Sequence, residues 1–147
     1  MLTGGFNLRL LSGILLCLMA WGGVAEASNL AIETIMLEAR GESLDGQIAV
    51  GEVIRNRAFK ASRTFEQVVM APRQFSAWNS PLEAKRSLSL MSGKTWQVAS
   101  KAWEASKGSF KARGATHYHT VDIMPYWAKG HTPCAIIGNH RFYNDIR

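Results

Sequence analysis

The chain changes character at Gly108, with helical patterns before this residue and strand-forming residues after it. Apolar residues recur at helical spacing in the first part, as on the buried face of a helix. The predicted helices cover residues 29–40, 44–58, 64–69 and 95–107. The later part is rich in β-branched and aromatic residues, which favour strands. The predicted strands cover residues 116–121, 135–137 and 141–143, the last two joined about Gly138-Asn139. Helices followed by a small strand-rich part predict an α+β fold.

The N-terminal segment is predicted to be a secretory signal rather than part of the fold. Arg9 supplies a positive flank, residues 10–21 are almost wholly apolar, and Ala25-Glu26-Ala27 fits a small-x-small cleavage pattern. The apolar run is shorter than the roughly 20 residues that a membrane-spanning helix needs. We therefore predict a signal peptide over residues 1–27 and one domain over residues 28–147. The domain is expected in the periplasm or cell envelope, with membrane contact only through the N-terminal segment. An uncleaved anchor, or a signal-arrest segment that later releases the protein, is the alternative.

The charge of the exported part favours a polyanionic partner. The chain carries 17 basic and 11 acidic residues, a formal net charge of +6. Removing Arg9 and Glu26 takes one charge of each sign, so residues 28–147 keep the same excess. Nucleic acid, anionic lipid and anionic cell wall are the polyanions that such an excess favours. No nucleic-acid motif occurs, and the cell wall is the expected partner of an exported protein. A soluble surface with some excess lysine is the plainer alternative.

The segment Glu38-Ala39-Arg40-Gly41-Glu42 is the strongest candidate for chemistry. It follows the mostly apolar residues 30–37, and apolar neighbours remove hydration and favour the neutral, proton-donating form of a carboxyl group. Gly41 is expected to end the helix with a positive φ. The first helix is therefore predicted to deliver one acid, Glu38, to a site and to end there.

Structural alternatives remain open for both glutamates of this segment. Glu38 could instead be buried and paired with Arg55 or Arg57. Glycoside hydrolysis usually uses two carboxylates, and Glu42 is a candidate second acid, on the face of Glu38 only if the helix continued. Glu42 could instead cap the next helix or pair with Arg40.

The alternating histidines His117 and His119 suggest a metal site as one hypothesis. His117 and His119 alternate along a predicted strand, so their side chains lie on one side and could ligate one ion. No HExxH motif accompanies them, and Cys134 has no nearby cysteine, so we predict no metal site and no cofactor. A histidine pair on the wall of a binding cleft is the alternative. Cys134 is the single cysteine of residues 28–147, and we expect an inert thiol rather than a nucleophile paired with His140.

Aromatic side chains recur beside amides and hydroxyls, a combination that suits sugar rings. The apolar face of a sugar packs on an aromatic plane, while its hydroxyl groups need polar partners. The aromatic candidates are Phe75, Trp78, Tyr118, Tyr126, Trp127 and Tyr143. The polar candidates beside them are Gln74, Ser76, Asn79, Asn139 and His140. The pattern predicts a saccharide-binding cleft, although each of these residues alone is more typical of a core.

Several motifs, in order along the chain, resemble the SleB-type family of spore-cortex-lytic enzymes and cell-wall hydrolases. The motifs are EARGE at 38–42, GQIAV at 46–50, VIRNR at 53–57, QFS at 74–76, GATHYH at 114–119, PYWA at 125–128 and IGNHRFY at 137–143. Each motif alone is weak, but their order and spacing together are specific. The resemblance covers nearly all of residues 28–143.

The resemblance implies a single cell-wall hydrolase catalytic domain over residues 28–147, with a lysozyme-like helical part and a small C-terminal β part. It implies Glu38 as the catalytic acid, because Glu38 matches the first glutamate of the family's E-[AS]-R-G-E motif. Family members closer to the spore enzymes carry aromatic residues at the positions of His117 and His119. This difference weakens any obligatory metal role for the two histidines.

The activity that the resemblance implies is cleavage of peptidoglycan glycan strands. We expect a monomeric lytic transglycosylase that cuts between N-acetylmuramic acid and N-acetylglucosamine, with Glu38 acting as acid and then as base. The expected substrate contacts are Gln74, Phe75, Ser76, Tyr118, Trp127, Asn139 and Tyr143. The alternatives are a hydrolytic muramidase in which Glu42 or Asp45 positions water, an N-acetylmuramoyl-L-alanine amidase, and a non-catalytic wall-binding module.

Overall fold

The computed structural model describes residues 28–147, so the signal peptide predicted over residues 1–27 lies outside the described residues. Helices come first and a small sheet follows them, which confirms the predicted α+β fold. No helix within the described part is long and apolar enough to cross a membrane.

Five α-helices and two short 3₁₀ helices make up the helical elements of the described chain. The α-helices are α1 at residues 28–39, α2 at Leu44–Ala61, α3 at Phe65–Val69, α4 at Pro81–Ser89 and α5 at Gly93–Ala105. The 3₁₀ helices are Ser76–Asn79 and Tyr126–Ala128. Four of the α-helices agree with the sequence prediction within a few residues, and α4 is an additional element.

The sheet contains three short antiparallel strands in the order β1-β3-β2. These are β1 at His117–Thr120, β2 at Ala135–Ile137 and β3 at His140–Tyr143. The central strand β3 pairs its Phe142 with Tyr118 on one side and with Ala135 on the other. The β2–β3 hairpin turns at Gly138 with a φ of 55°, a conformation that glycine adopts at low cost.

Side-chain caps set the starts of three helices, α2, α3 and α5, the last through Ser92. The Ser43 hydroxyl accepts a hydrogen bond from the Gly46 N–H and begins α2. Thr64 and Gln67 form a reciprocal capping box at the start of α3.

The end of α1 differs from the prediction, because Gly41 follows the helix without a positive φ. A backbone hydrogen bond from Glu42 N–H to Ala39 C=O closes the turn instead.

Helix α2 is the centre of the domain and is buried on several sides. One apolar cluster joins α2 to α1, α3 and α5 and includes Ile35, Ile54 and Trp103. A second cluster lies on the other side of α2, where Val53 packs with Phe142 of the sheet. The sheet therefore rests on the same helix that organises the helical part, which fixes the position of β1 relative to α1.

Polar side chains of α2 hold the loop that leads into β1. Both carboxylate oxygens of the buried Glu52 accept backbone N–H groups, from Lys111 at 2.9 Å and Ala112 at 2.8 Å. Asn56 donates through Nδ2 to the Ala115 carbonyl at 2.9 Å. These contacts satisfy backbone groups that no sheet partner reaches, so the loop has a defined path to the strand.

Candidate active site

An open cleft of about 740 Å³ lies between the end of α1 and the exposed side of the sheet. Each wall comes from a different part of the chain. Leu37 and Glu38 lie at the end of α1, and β1 supplies residues 117–120. The loop before the first 3₁₀ helix and the start of that helix supply Arg73, Gln74, Ser76 and Ala77. The remaining lining residues are Arg57, Ile123, Pro125, Trp127 and His140. Among the described residues that line this cleft, Glu38 is the only acid.

The carboxylate of Glu38 accepts hydrogen bonds from both sides of the cleft. Its Oε1 accepts the Ala77 N–H at 3.0 Å and, more weakly, the Ser76 hydroxyl at 3.4 Å. Its Oε2 accepts the Tyr118 hydroxyl at 3.1 Å. Glu38 is half-buried, so these groups fix its orientation while part of the carboxylate still faces the cleft.

The surroundings of Glu38 are more polar than the flanking sequence predicts. The prediction assumed apolar neighbours along α1, but the carboxylate leaves the helix and meets a loop and a strand. The alternative of a buried ion pair also does not describe this site, since neither Arg55 nor Arg57 lies within ion-pair distance of Glu38 in the described chain. The donors contacting Glu38 are neutral groups.

The two arginines have other partners. Arg55 donates to the Ser106 hydroxyl and the Trp103 carbonyl, and its guanidinium lies 3.6 Å from the Trp103 ring centroid. Arg57 donates to the carbonyls of Thr116 and Gln74 and so connects α2 to two walls of the cleft. Burial lowers the pKa of the Arg57 guanidinium, while nearby Tyr118 and Glu38 oppose that shift.

Tyr118 is held as a neutral hydrogen-bond donor. Burial raises its pKa well above 10, and the neighbouring Glu38 adds to the shift. Its ring packs edge-on against His140 at 5.1 Å and lies 5.7 Å from the Phe142 ring. The phenol therefore keeps its proton and presents it to Glu38.

Glu42 turns away from Glu38 and binds the β2–β3 hairpin. Its two carboxylate oxygens accept the Asn139 N–H at 3.1 Å and the Asn139 side-chain amide at 3.2 Å. Its side chain is 10% exposed, and a Cβ placed on Gly138 would overlap its Oε2. Glu42 therefore occupies a fitted position between the α1–α2 turn and the hairpin.

His140 lies between the two glutamates and lines the cleft. Its Nδ1 is 3.9 Å from Oε1 of Glu42, is buried, and has no hydrogen-bond partner among the described residues. Burial lowers the pKa of His140, although Glu42 and Glu38 act in the opposite direction. The 3.9 Å separation is too long for a hydrogen bond, so Glu42 gives this nitrogen no direct partner.

His119 is part of a packed aromatic group on β1. Its Nδ1 is 2.7 Å from the Thr120 carbonyl, so this nitrogen carries the proton. Its Nε2 then accepts the Tyr143 hydroxyl at 2.9 Å. The ring stacks on Tyr143 and meets the edge of Trp127. Both nitrogens are therefore engaged in hydrogen bonds.

His117 points to the same side of β1 and also contacts Trp127, at 5.3 Å between ring centroids. Partial burial, followed by the charges of Arg57 and Lys60, lowers the pKa of His117 to about 4. The ring is therefore neutral at physiological pH. No group of three or more potential metal-ligating side chains occurs in residues 28–147.

The predicted substrate residues divide into three groups. Gln74, Ser76, Tyr118 and Trp127 line the cleft, and Asn139 lines an adjoining groove with Glu38 and Glu42. Two predicted contacts require correction: Phe75 is 2% exposed and Tyr143 is 1% exposed. Phe75 packs in the helical core beneath Arg57, and the Tyr143 hydroxyl donates a hydrogen bond to His119. Neither ring is therefore accessible to a glycan in the cleft.

Arg57 and Arg73 line the cleft without having been proposed as substrate contacts from the sequence. Arg57 belongs to the VIRNR motif, but its position at the cleft depends on hydrogen bonds to the distant Thr116 and Gln74 carbonyls. Cys134 is half-buried, burial raises the pKa of its thiol, and its Sγ lies near the Ala112 and Phe142 carbonyls. These surroundings favour an inert thiol.

Comparison with known proteins places these features in context. The sequence model of the Cell Wall Hydrolase family matches residues 41–143, a range that begins just after Glu38. The crystal structure of the catalytic domain of the Bacillus cereus SleB protein is similar with a TM-score of 0.64 and 31% identity, covering 79% of this chain and 88% of that one. The catalytic domain of the germination-specific lytic transglycosylase SleB from Bacillus anthracis has the same TM-score at 29% identity, covering 79% of this chain and 92% of that one. A search of curated proteins gave no significant match.

Proposed function

This chain belongs to the Cell Wall Hydrolase family and is a cell-wall hydrolase of the SleB type, and from that premise we propose that it is a lytic transglycosylase. Its proposed substrate is peptidoglycan, cut between N-acetylmuramic acid and N-acetylglucosamine. The name of the Bacillus anthracis relative supports this reaction class. The proposed location is the cell envelope.

The observation that carries the proposal is Glu38, the only acid among the described residues that line the cleft. Ordinary glycoside hydrolysis needs a second carboxylate to act as nucleophile or to hold a water molecule. Asp45 forms an exposed ion pair with Lys111 at 3.1 Å, and Glu42 is hydrogen-bonded to Asn139. Glu42 and the exposed Asp122 line only the adjoining groove, which Glu38 shares. Because the cleft itself contains one acid, we favour a reaction in which the substrate supplies its own nucleophile.

In the first step, protonated Glu38 donates its proton to the glycosidic oxygen. The bond from the muramic anomeric carbon to that oxygen breaks, and the leaving sugar keeps the oxygen as a hydroxyl group. A bound glycan covers the part of this half-buried carboxyl group that faces the cleft. The hydrogen bonds from Ala77 and Tyr118 hold the group in position during the transfer.

In the second step, the Glu38 carboxylate takes the proton from the C6 hydroxyl of the same muramic residue. The C6 oxygen then bonds to the anomeric carbon and closes a 1,6-anhydro ring, so no water is consumed and Glu38 regains its proton. An intramolecular nucleophile has a high effective concentration, which removes the need for a second acid. Gln74, Ser76 and Trp127 are the proposed glycan contacts, with Asn139 in the adjoining groove.

The substitution Glu38→Gln tests the proposal in the purified full-length protein, acting on isolated sacculi. It keeps the shape of the side chain and removes the transferable proton, so lysis should fall by about 100- to 10,000-fold. Glu33→Gln on the same helix is the matched control, because Glu33 lies outside the cleft. Mass spectrometry of the wild-type digest should find anhydromuramic ends one water lighter than reducing ends.

Four results would contradict the proposal. Reducing ends in place of anhydro ends would indicate a hydrolytic muramidase. Stem peptides released from intact glycan strands, with loss of activity in a chelator, would indicate an amidase. Undiminished lysis by Glu38→Gln would remove Glu38 from the chemistry, and wall binding without any product from the wild type would indicate a non-catalytic module.

A further inference from the structure

A second pocket of about 450 Å³ adjoins the cleft. The two cavities share Arg57, Gln74 and His117, whose side chains form the boundary between them. At this boundary Arg57 donates to the Thr116 and Gln74 carbonyls, so a branch of a bound glycan would have to pass over these residues to reach the second pocket. We call this cavity the side pocket.

The side pocket combines a cationic rim with an apolar floor. Its apolar lining residues are Ala61, Val68, Ala71 and Ile146. Lys60 and Arg63 lie at the rim and are exposed, and no Asp or Glu is among its lining residues. Within residues 28–147, neither cation forms an ion pair with a carboxylate. The exposed Arg147 also lines the pocket. The Lys60 and Arg63 side chains therefore present positive charge that no carboxylate of residues 28–147 compensates at ion-pair distance.

The backbone at the rim has a fixed path. Lys60 belongs to the last turn of α2, and Ser62 then reverses the chain with a φ of 51°. The Arg63 N–H donates to the Ala58 carbonyl at 3.0 Å. The bases of both cationic side chains are thus held beside the apolar floor. Lys60 also contributes to the lowered pKa of His117, so its charge acts at the boundary with the cleft.

We propose that the side pocket is a subsite for a short anionic peptide attached to the glycan, the stem peptide of the muramoyl residue at the cleavage site. This inference rests on the proposed function. A stem peptide carries small apolar side chains and free carboxylates, which match the apolar floor and the cationic rim. It branches from the muramic sugar next to the scissile bond, so it must leave the cleft sideways.

The test compares two substrates with the full-length protein. One is peptide-bearing glycan strands, and the other is the same strands after an amidase has removed their peptides. The readout is the ratio of kcat/KM on the first substrate to kcat/KM on the second. The double variant Lys60→Glu/Arg63→Glu should lower this ratio by about tenfold, because it reverses two exposed charges that contact the peptide.

The double variant Lys101→Glu/Lys107→Glu is the matched control. It makes the same change in net charge at two exposed positions outside both cavities, and the ratio should stay at the wild-type value. A soluble stem tetrapeptide should also shift the amide NMR signals of Val68 and Ala71 in the wild type and not in the Lys60/Arg63 variant.

Two outcomes would overturn the inference. An unchanged ratio in the Lys60/Arg63 variant would mean that the rim does not contact the peptide. Equal losses on both substrates would mean that the rim attracts the glycan or another anionic polymer instead. Failure of the proposed function is distinguishable, since the wild type would then form no anhydro ends from either substrate.

Discussion

The phenol hydroxyl of Tyr118 donates a hydrogen bond of 3.1 Å to Oε2 of Glu38. The two residues are 80 positions apart, and the bond joins β1 to the end of α1 across the cleft. Burial keeps the phenol protonated, so it remains a donor whenever Glu38 is a carboxylate. The sheet thereby holds the candidate acid from the side opposite to the Ala77 backbone.

Removing this hydroxyl should reduce catalysis without unfolding the protein. Tyr118→Phe keeps the ring contacts with His140 and Phe142 but leaves Oε2 of Glu38 without its donor. A hydrogen bond to a charged group is worth about 1.5–3 kcal/mol, so kcat should fall by roughly 10- to 100-fold. Initial rates on soluble glycan strands measure the effect.

Ser76→Ala is the comparison for Tyr118→Phe. The Ser76 hydroxyl is 3.4 Å from Glu38 and exposed, so its loss should lower kcat much less, while loss of its proposed glycan contact should raise KM. Thermal unfolding should show that both variants stay folded at the assay temperature. A full rate in Tyr118→Phe would show that Ala77 alone is enough to orient Glu38.

Glu42→Gln should cost stability rather than chemistry. The glutamine keeps one oxygen acceptor, but its amide NH₂ must face one of the two Asn139 donors. We expect a loss of about 1–3 kcal/mol in the free energy of unfolding, measured by urea denaturation. Lysis should persist at temperatures where the variant is folded.

Asp45→Asn is the control for this prediction, because Asp45 is an exposed acid in the same region. Its ion pair with Lys111 lies at the surface, so the change should cost less than about 1 kcal/mol. Abolished lysis with unchanged stability in Glu42→Gln would instead support Glu42 as the second acid of a hydrolytic muramidase.

The fold was predictable wherever the signal is local. Thr64 and Gln67 have the residue types and spacing of a capping box, and Gly138 indicates the tight turn between two strands. Helix α4 was not predicted, because only Ala84 is buried in it and most of its nine residues are polar. The roles of Glu52 and other polar residues of α2 were also hidden, since their partners are loop backbone groups distant in sequence.

The candidate site was predictable in its residue types but not in which side chains face the cleft. Gln74, Ser76 and Trp127 do line the cleft, while Phe75 and Tyr143 from the same motifs are buried. A sequence motif shows which residues lie near a site, but it does not distinguish side chains that line the cleft from buried side chains that hold those residues in place. That distinction depends on tertiary contacts, such as the hydrogen bond between Tyr143 and His119.

His117 should make the protein less stable as the pH falls below neutral. Its pKa is about 4 in the folded protein and close to 6.5 in the unfolded chain, so between these values the unfolded chain binds the extra proton. Stability therefore falls as the pH is lowered from 6.5 towards 4. Because His117 is only half-buried, solvent screening limits the effect to roughly 1 kcal/mol.

The variant His117→Gln isolates this contribution. Urea denaturation at several pH values should show a smaller loss of stability in the variant than in the wild type between pH 6.5 and 4. Above about pH 7.5 the imidazole is almost wholly neutral in both states, so the two proteins should change in parallel there. Parallel curves at acidic pH as well would mean that the folded protein does not lower the pKa of His117.

Gly138→Ala should disrupt the contact between the hairpin and Glu42. The φ of 55° at Gly138 costs an L-residue about 1–2 kcal/mol, and the new methyl group would also overlap Oε2 of Glu42. The loss of stability should therefore exceed that of Gly130→Ala, where φ is 81° but no atom lies within 4 Å of the added Cβ.

Urea denaturation compares the two variants and the double variant Gly138→Ala/Glu42→Ala. If the overlap contributes, removing the Glu42 carboxylate should make Gly138→Ala less costly than it is in the wild-type background. Additive losses would show that backbone strain alone explains the requirement for glycine.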